Sequence, residues 1–206
     1  MGAVTMRALL AGSLIAAPLV LSQDLTSSKR GLVYITENHM ADDDHIWNAD
    51  DSDLTWYYNY TPDPSNELDN DKMDFVPMLW GTDGSDSFYD KIKALVDGGR
   101  NITYVLGFNE PDGCAYGGSC IPAEDAARIW IDQIEPLKEL GISLGAPSPT
   151  GSPTGLAWMA NFFSECDGEC NPDFFPAHWY GNFEGLASFL GEVNATYPDM
   201  GLWVTE

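Results

Sequence analysis

Leu106-Gly107-Phe108-Asn109-Glu110-Pro111 is the stretch on which the fold turns. With Tyr104 and Val105 ahead of it, Leu106 and Phe108 complete a short apolar run, the pattern of a parallel strand buried on both faces. Asn109 and Glu110 follow at once, and Pro111 and Gly113 then break the chain. An amide and a carboxyl group are therefore expected at the C-terminal tip of a buried strand, where (β/α) barrels carry their active sites. A second tip of this kind is Leu202-Trp203-Val204-Thr205-Glu206. A lone glutamate after a strand is ordinarily a solvated loop carboxylate. Two of them on two strand tips, one framed by Asn and Pro, are what acid/base cleavage of a glycosidic bond requires.

Working outward, further strands are expected at 31–35, 54–60, 75–80, 142–146, 174–180 and 201–205, where apolar, β-branched and aromatic residues cluster between Gly and Pro breaks. Helical apolar spacing covers 88–96, closed by Gly98-Gly99. It also covers 122–140, where Ala126, Ile129, Trp130, Ile134, Leu137 and Leu140 recur at helical steps before Gly141. Pro136 is expected to kink or shorten that helix. Helices are also read at 156–163 and 183–193. Strands alternating with helices indicate an α/β chain with a parallel sheet. No Gly-rich loop follows the first strand, which disfavours a nucleotide-binding sheet. Functional-looking residues end nearly every strand, the pattern of a TIM (β/α)8 barrel. Seven strands are read where a closed barrel has eight. Residues 29–206 are thus expected to form a barrel catalytic domain truncated after the seventh strand and C-terminally incomplete.

Bulk composition narrows the partners. A net charge of −23 with nine Lys and Arg argues against nucleic acid, since phosphate binding needs clustered cations. The 44% hydrophobic content argues against a disordered chain. Seven Trp and nine Tyr suit the apolar faces of sugar rings, although core packing explains most aromatics in any protein. At the N-terminus, Arg7 precedes an apolar run over 8–21, too short for a transmembrane span. Residues 1–22 read as a secretory signal cut near Ser22-Gln23, with a short spacer over 23–28; an uncleaved anchor is the alternative. Lys29-Arg30 is either a processing site or the polar lip of the first strand. The acidic loop over 38–53 lacks the spacing of a calcium loop and reads as solvated, and nothing in the spacing of His39 and His45 demands a metal.

Secretion gives weight to the Asn-X-Ser/Thr sequons. Asn101 and Asn194 are expected to carry glycans. Asn59 is left open: Asn59 and Tyr60 are expected at the upper tip of the second strand, pointing at the active site, where a glycan on Asn59 would obstruct the groove. Four cysteines in a secreted chain suggest two disulfides. Cys114 and Cys120 follow the Glu110 strand on the barrel's upper face, whereas Cys166 and Cys170 follow a helix on the lower face. Crossed pairs would have to span the barrel, beyond the ~7 Å that a disulfide allows between Cα atoms. The expected pairs are Cys114–Cys120 and Cys166–Cys170; a zinc site is the rival.

Lys29-Arg30-Gly31-Leu32, Trp56-Tyr57-Tyr58-Asn59-Tyr60, Val76-Pro77-Met78-Leu79-Trp80-Gly81, Gly107-Phe108-Asn109-Glu110-Pro111-Asp112, His178-Trp179-Tyr180 and Trp203-Val204-Thr205-Glu206 together resemble glycoside hydrolase family 128, in its fungal secreted branch. The resemblance covers 29–206. It implies a retaining (β/α)8 barrel of the large clan A and an endo-acting, secreted β-1,3-glucanase, with β-1,3-glucan as partner, extracellular or in the cell wall. It implies Glu110 as general acid/base, Glu206 as nucleophile and Asn109 on the sugar 2-hydroxyl. Trp56, Tyr58, Asn59, Trp80, His178, Trp179 and Tyr180 match positions lining the sugar groove. His178 reads better as a hydrogen-bond donor than as an acid/base. No cofactor or metal is expected, and a monomer is. The competing class is a non-catalytic β-glucan-binding cell-wall protein on the same barrel.

Overall fold

Alternate residues of a strand point to opposite faces, and in this chain the two faces bury different things. The computed structural model describes residues 29–35, 44–47, 49–68, 72–115 and 117–206. The leader read over 1–22, the spacer over 23–28 and His39 lie outside them, as does the side chain of His45. The strands are β1 (Gly31–Val33), β2 (Trp56–Tyr58), β3 (Asp74–Phe75), β4 (Tyr104–Val105), β5 (Ser143–Leu144), β6 (Phe174–Ala177) and β7 (Gly201–Val204). The helices are α1 (Asp44–Trp47), α2 (Phe88–Asp97), α3 (Ala123–Ile129), α4 (Pro153–Glu165) and α5 (Phe183–Thr196). All pairings are parallel and run in chain order: β1 on β2 on β3, β4 on β5, β6 on β7. Single bridges, Met78 with Leu106 and Gly145 with Phe174, join these groups into one succession of seven strands.

The ladders are shorter than the apolar runs suggested, because prolines and irregular pairing interrupt them. Beyond β3, for instance, Pro77 has no N–H to give, yet its carbonyl still accepts from Leu106 N–H at 2.8 Å. One face of the array packs on the helices: Tyr57, Phe75, Val105, Leu144 and Phe175 meet Phe88, Ile92, Trp130, Met159, Phe162 and Phe189. The other face fills the barrel interior with Trp56, Tyr58, Val76, Met78, Tyr104, Leu106, Phe174 and Trp203. Trp203 is the hub, with ring centroids 4.5 Å from Phe174, 4.9 Å from Tyr104 and 5.0 Å from Trp56. No helix among the described residues is long and apolar enough to cross a membrane.

The run read as one helix over 122–140 keeps its course but changes type. Residues Ala123–Ile129 are α-helical, Trp130–Ile134 form a π-helical turn and Glu135–Leu140 a 3-10 helix ended by Gly141 at φ 79°. Pro136, with no N–H and a ring that would clash one turn back, is the cause. Helix α4 begins earlier than the apolar spacing suggested, with Pro153 at its first position, where the missing N–H costs nothing. Helix α5 begins at an Asn182 cap whose side chain accepts from Gly185 N–H at 2.9 Å.

Candidate active site

Three strand tips bring the chemistry together. Glu110 stands five residues past β4, His178 directly past β6 and Glu206 two past β7. One oxygen of Glu110, one ring nitrogen of His178 and one oxygen of Glu206 all lie within 4.8 Å of one another. His178 is fully buried, with Nδ1 3.2 Å from Glu110 Oε1 and Nε2 3.6 Å from Glu206 Oε1. The carboxyl groups border a cleft of about 630 Å³ lined by Ile35, Tyr60, Trp80, Asn109, Glu110, Gly117, Tyr180 and Glu206. Trp80 and Tyr180 form its exposed aromatic rim.

The two carboxyl groups have different surroundings. Glu206 accepts two phenol hydrogen bonds, from Tyr60 to Oε1 at 2.8 Å and from Tyr180 to Oε2 at 2.5 Å. The Tyr180 phenol is pushed up to about 12, first by its hydrogen bond to Glu206, then by burial and by the charges of Glu206 and Glu110. Tyr60 is raised as well, chiefly by burial and also by Glu206. Burial raises Tyr58 further still. All three phenols stay protonated at neutral pH. Glu110, by contrast, holds its place through a constrained main chain. Its φ is 41°, a left-handed conformation that costs a non-glycine residue about 1–3 kcal/mol. Its N–H donates to Ser148 O at 2.7 Å and its carbonyl accepts from Gly113 N–H at 2.9 Å.

Asn109 is 4% exposed; its Nδ2 donates to Gly117 O at 3.2 Å, and its Oδ1, also buried, has no hydrogen-bond partner. The loop that supplies Gly117 is closed by Cys114–Cys120, with Cα atoms 4.5 Å apart. Cys166–Cys170 is the second disulfide, at 5.5 Å. Both expected local pairs form, which rules out the zinc alternative for these four thiols.

Four of the expected groove residues lie elsewhere. Trp56 belongs to the other end of the barrel, lining a separate opening of about 670 Å³ with Tyr104, Trp203 and Asp74. Tyr58 is fully buried one layer below the cleft, its hydroxyl donating to Thr205 O at 2.9 Å. Asn59 turns outward into a local turn, Nδ2 donating to Asp63 O at 2.9 Å while Oδ1 accepts from Thr61 Oγ1 at 3.1 Å. Trp179 packs into the helix layer against Phe189, its indole N–H donating to Asn182 O at 3.0 Å. Tyr60, absent from the family-matched groove set, touches the nucleophile candidate directly. Its place at the strand tip, pointing at the active site, is as the sequence led one to expect, but Asn59 does not share it: with Tyr58 inward, period two turns Asn59 out and Tyr60 in.

Residues 31–206 match the family described as the glycosyl hydrolase catalytic core. Among solved structures, a curdlan-specific exo-β-1,3-glucanase of glycoside hydrolase family 128 (subgroup III) from Blastomyces gilchristii, in complex with glucose, superimposes with a TM-score of 0.71. It is 30% identical, over 86% of this chain and 74% of that one. The chain belongs to glycoside hydrolase family 128. Another family 128 structure, the subgroup I endo-β-1,3-glucanase from Amycolatopsis mediterranei in complex with laminaritriose, gives a TM-score of 0.62 at 28% identity, over 87% and 70% of the two chains. Alkali-sensitive linkage protein 1 of Schizosaccharomyces pombe is 32% identical over 181 residues, 87% of this chain and 31% of that protein. The family 128 chain thus spans about a third of the length of that curated relative. These structural neighbours have the TIM-barrel type of fold, in keeping with the parallel strands in chain order.

Proposed function

We propose that this chain is the catalytic part of a secreted, endo-acting β-1,3-glucanase that works by double displacement with retention. The observation that carries the reading is that an oxygen of Glu110 lies within 4.8 Å of an oxygen of Glu206. Retaining glycosidases keep their carboxyl groups about 5–5.5 Å apart, whereas inverting ones hold them about 6.5–9.5 Å apart to admit a water. Glu206 is the nucleophile: two phenol donors, one on each oxygen, hold and aim it. It attacks the anomeric carbon as the glycosidic C–O bond breaks, and Glu110 delivers its proton to the departing oxygen. In the second step a water gives its proton to Glu110 and its oxygen displaces Glu206 from the anomeric carbon. His178 with its proton on Nε2 faces ionised Glu206 and leaves Nδ1 to accept from protonated Glu110, the charge state the first step needs. Asn109 Oδ1, buried and unpaired, is a ready acceptor for the sugar 2-hydroxyl.

Substrate class is taken from the β-1,3-glucanase relatives, and the endo mode from a cleft whose aromatic rim is exposed. Secretion rests on the leader over 1–22. Glycans on Asn101 and Asn194 belong to the same proposal, since both residues are exposed. So do a monomeric state, placement outside the cell or in its wall, and a strand beyond residue 206. Val33 and Val204, on β1 and β7, are 41% and 51% exposed, apolar surface that such a strand would cover.

The test is hydrolysis of laminarin and laminarihexaose by the full-length protein, with the first-formed anomer followed by NMR. A β-anomer and a ladder of short oligosaccharides are expected. An α-anomer as first product overturns retention, and glucose as sole product overturns the endo mode. Glucan binding without any hydrolysis favours the binding-protein alternative.

A further inference from the structure

The strained main chain of Glu110 needs something to hold it, and the fold supplies a side-chain clamp two residues on. Past the end of β4 and β5 the two chains stay paired: Ser148 N–H donates to Phe108 O at 2.8 Å, and Glu110 N–H to Ser148 O at 2.7 Å. Regular pairing stops there, because the Glu110 carbonyl, which would accept the next N–H of the β5 chain, accepts instead from Gly113 N–H within the turn. Asp112 takes over. Its Oδ1 accepts from Thr150 N–H at 2.8 Å, and its Oδ2 accepts from Thr150 Oγ1 at 2.5 Å and from Thr154 Oγ1 at 3.2 Å. Ser152 Oγ sits 2.7 Å from each of those two hydroxyls. One carboxylate thus gathers three neutral donors from the β5 tip and the start of α4. Thr150 stands two residues past Ser148, as Asp112 stands two past Glu110, so the clamp repeats the spacing of the ladder it prolongs.

We infer that Asp112 is a positioning residue for the acid/base. It fixes the left-handed turn at Glu110, and with it the direction in which the Glu110 carboxyl reaches the glycosidic oxygen. Asp112 touches neither substrate nor proton; it acts through the main chain it shares with Glu110. The turn lies beside the cleft, and Gly113 closes it by donating to Glu110 O at 2.9 Å. A Cβ at Gly118 would lie 2.8 Å from that same oxygen and 2.2 Å from Gly113 O, so the disulfide loop presses on the turn from the other side.

The inference rests on the proposed acid/base role of Glu110, and the experiment separates the two. The full-length protein and its Asp112→Ala, Asp112→Asn and Thr150→Val variants are compared on a laminari-oligosaccharide, whose leaving sugar needs a proton, and on a 2,4-dinitrophenyl β-glucoside of the same series, whose leaving group needs none. For both substrates kcat/KM reports the glycosylation step. With Asp112→Ala, kcat/KM on the oligosaccharide is expected to fall about 100-fold, as for a displacement of about 1 Å at the reacting atoms. On the dinitrophenyl substrate it should stay within about threefold. Asp112→Asn, which keeps an acceptor, should recover most of the loss, and Thr150→Val should fall between. Equal loss on both substrates, or none on either, overturns the positioning role. A wild type inactive on both substrates overturns the glucanase reading and the positioning role with it, since there is then no acid/base to position. Loss confined to the variants leaves that reading standing.

Discussion

The two ends of the barrel make an instructive pair. Each opens into a recess of similar size, about 630 Å³ above and 670 Å³ below, and each is walled by aromatic rings. A single strand supplies both: Trp56 faces the lower recess, Tyr58 the packed middle and Tyr60 the upper cleft. Aromatic content therefore says nothing about which end binds sugar. The difference lies in what the rings accompany. Above, they surround two carboxyl groups and a buried imidazole within hydrogen-bonding reach. Below, Trp56, Tyr104 and Trp203 pack mainly on one another. The lower recess is a packing region, and the upper one is where chemistry can occur.

The largest test of that contrast removes the upper chemistry. Glu206→Gln is expected to lower kcat on laminarin more than about 1,000-fold, a loss above about 4 kcal/mol of transition-state stabilisation. Thermal stability should change little, because one phenol can still donate to the amide oxygen while the other turns to accept from the amide N–H. Activity near wild type would remove Glu206 from the mechanism. Glu110→Ala should lose hydrolysis of laminarin to a similar degree, yet keep most of its kcat/KM for a dinitrophenyl glycoside. Trp203→Ala strikes the other region. It removes the hub of the interior ring cluster and should destabilise by about 2–4 kcal/mol in urea unfolding, somewhat less than a fully buried Trp. At temperatures where the variant remains folded, its KM for glucan should be unchanged.

A sharper form of the comparison sets Trp56→Ala beside Trp80→Ala. The first should lower the melting temperature and leave KM alone; the second should raise KM about tenfold with stability intact, the equivalent of about 1.4 kcal/mol of stacking. The reverse pattern would exchange the roles of the two openings. The smallest effect concerns alkaline stability. Tyr180 holds its proton to about 12 in the folded protein, whereas an unfolded tyrosine loses it near 10. Its contribution is complete below pH 10 and fades as pH rises towards 12. Stability should fall across that window, and the fall should be shallower in Tyr180→Phe, as measured by chemical denaturation at fixed pH values.

Much of the site was legible because strand tips write their chemistry into consecutive residues. Asn109-Glu110 and Thr205-Glu206 each follow an apolar run, and the structure brings those two tips together as the barrel pattern required. The local disulfides followed from which face of a barrel each cysteine pair occupies. What the linear pattern hid was direction. Adjacent residues in Trp56-Tyr57-Tyr58-Asn59-Tyr60 and His178-Trp179-Tyr180 share a motif but not a face, so a motif read as a block assigns Asn59 and Trp179 to a cleft they do not line. Height along the barrel was hidden too, which is why Trp56 was expected in the groove. The clamp at Asp112 had no signal of its own, since its partners, Thr150, Ser152 and Thr154, lie some 40 residues away and read as an ordinary helix start.

The outward turn at Asn59 has a consequence in time as well as space. Its amide nitrogen, the atom to which an N-linked sugar would be attached, is committed to Asp63 O, and its amide oxygen to the threonine of its own sequon. Once that knot has tied, a transferase that needs an extended, pliable segment finds none. In a cell that glycosylates this chain during export, modification of Asn59 becomes a race between enzyme and folding, and the occupancy of that one asparagine serves as a clock for how soon the second strand tip closes.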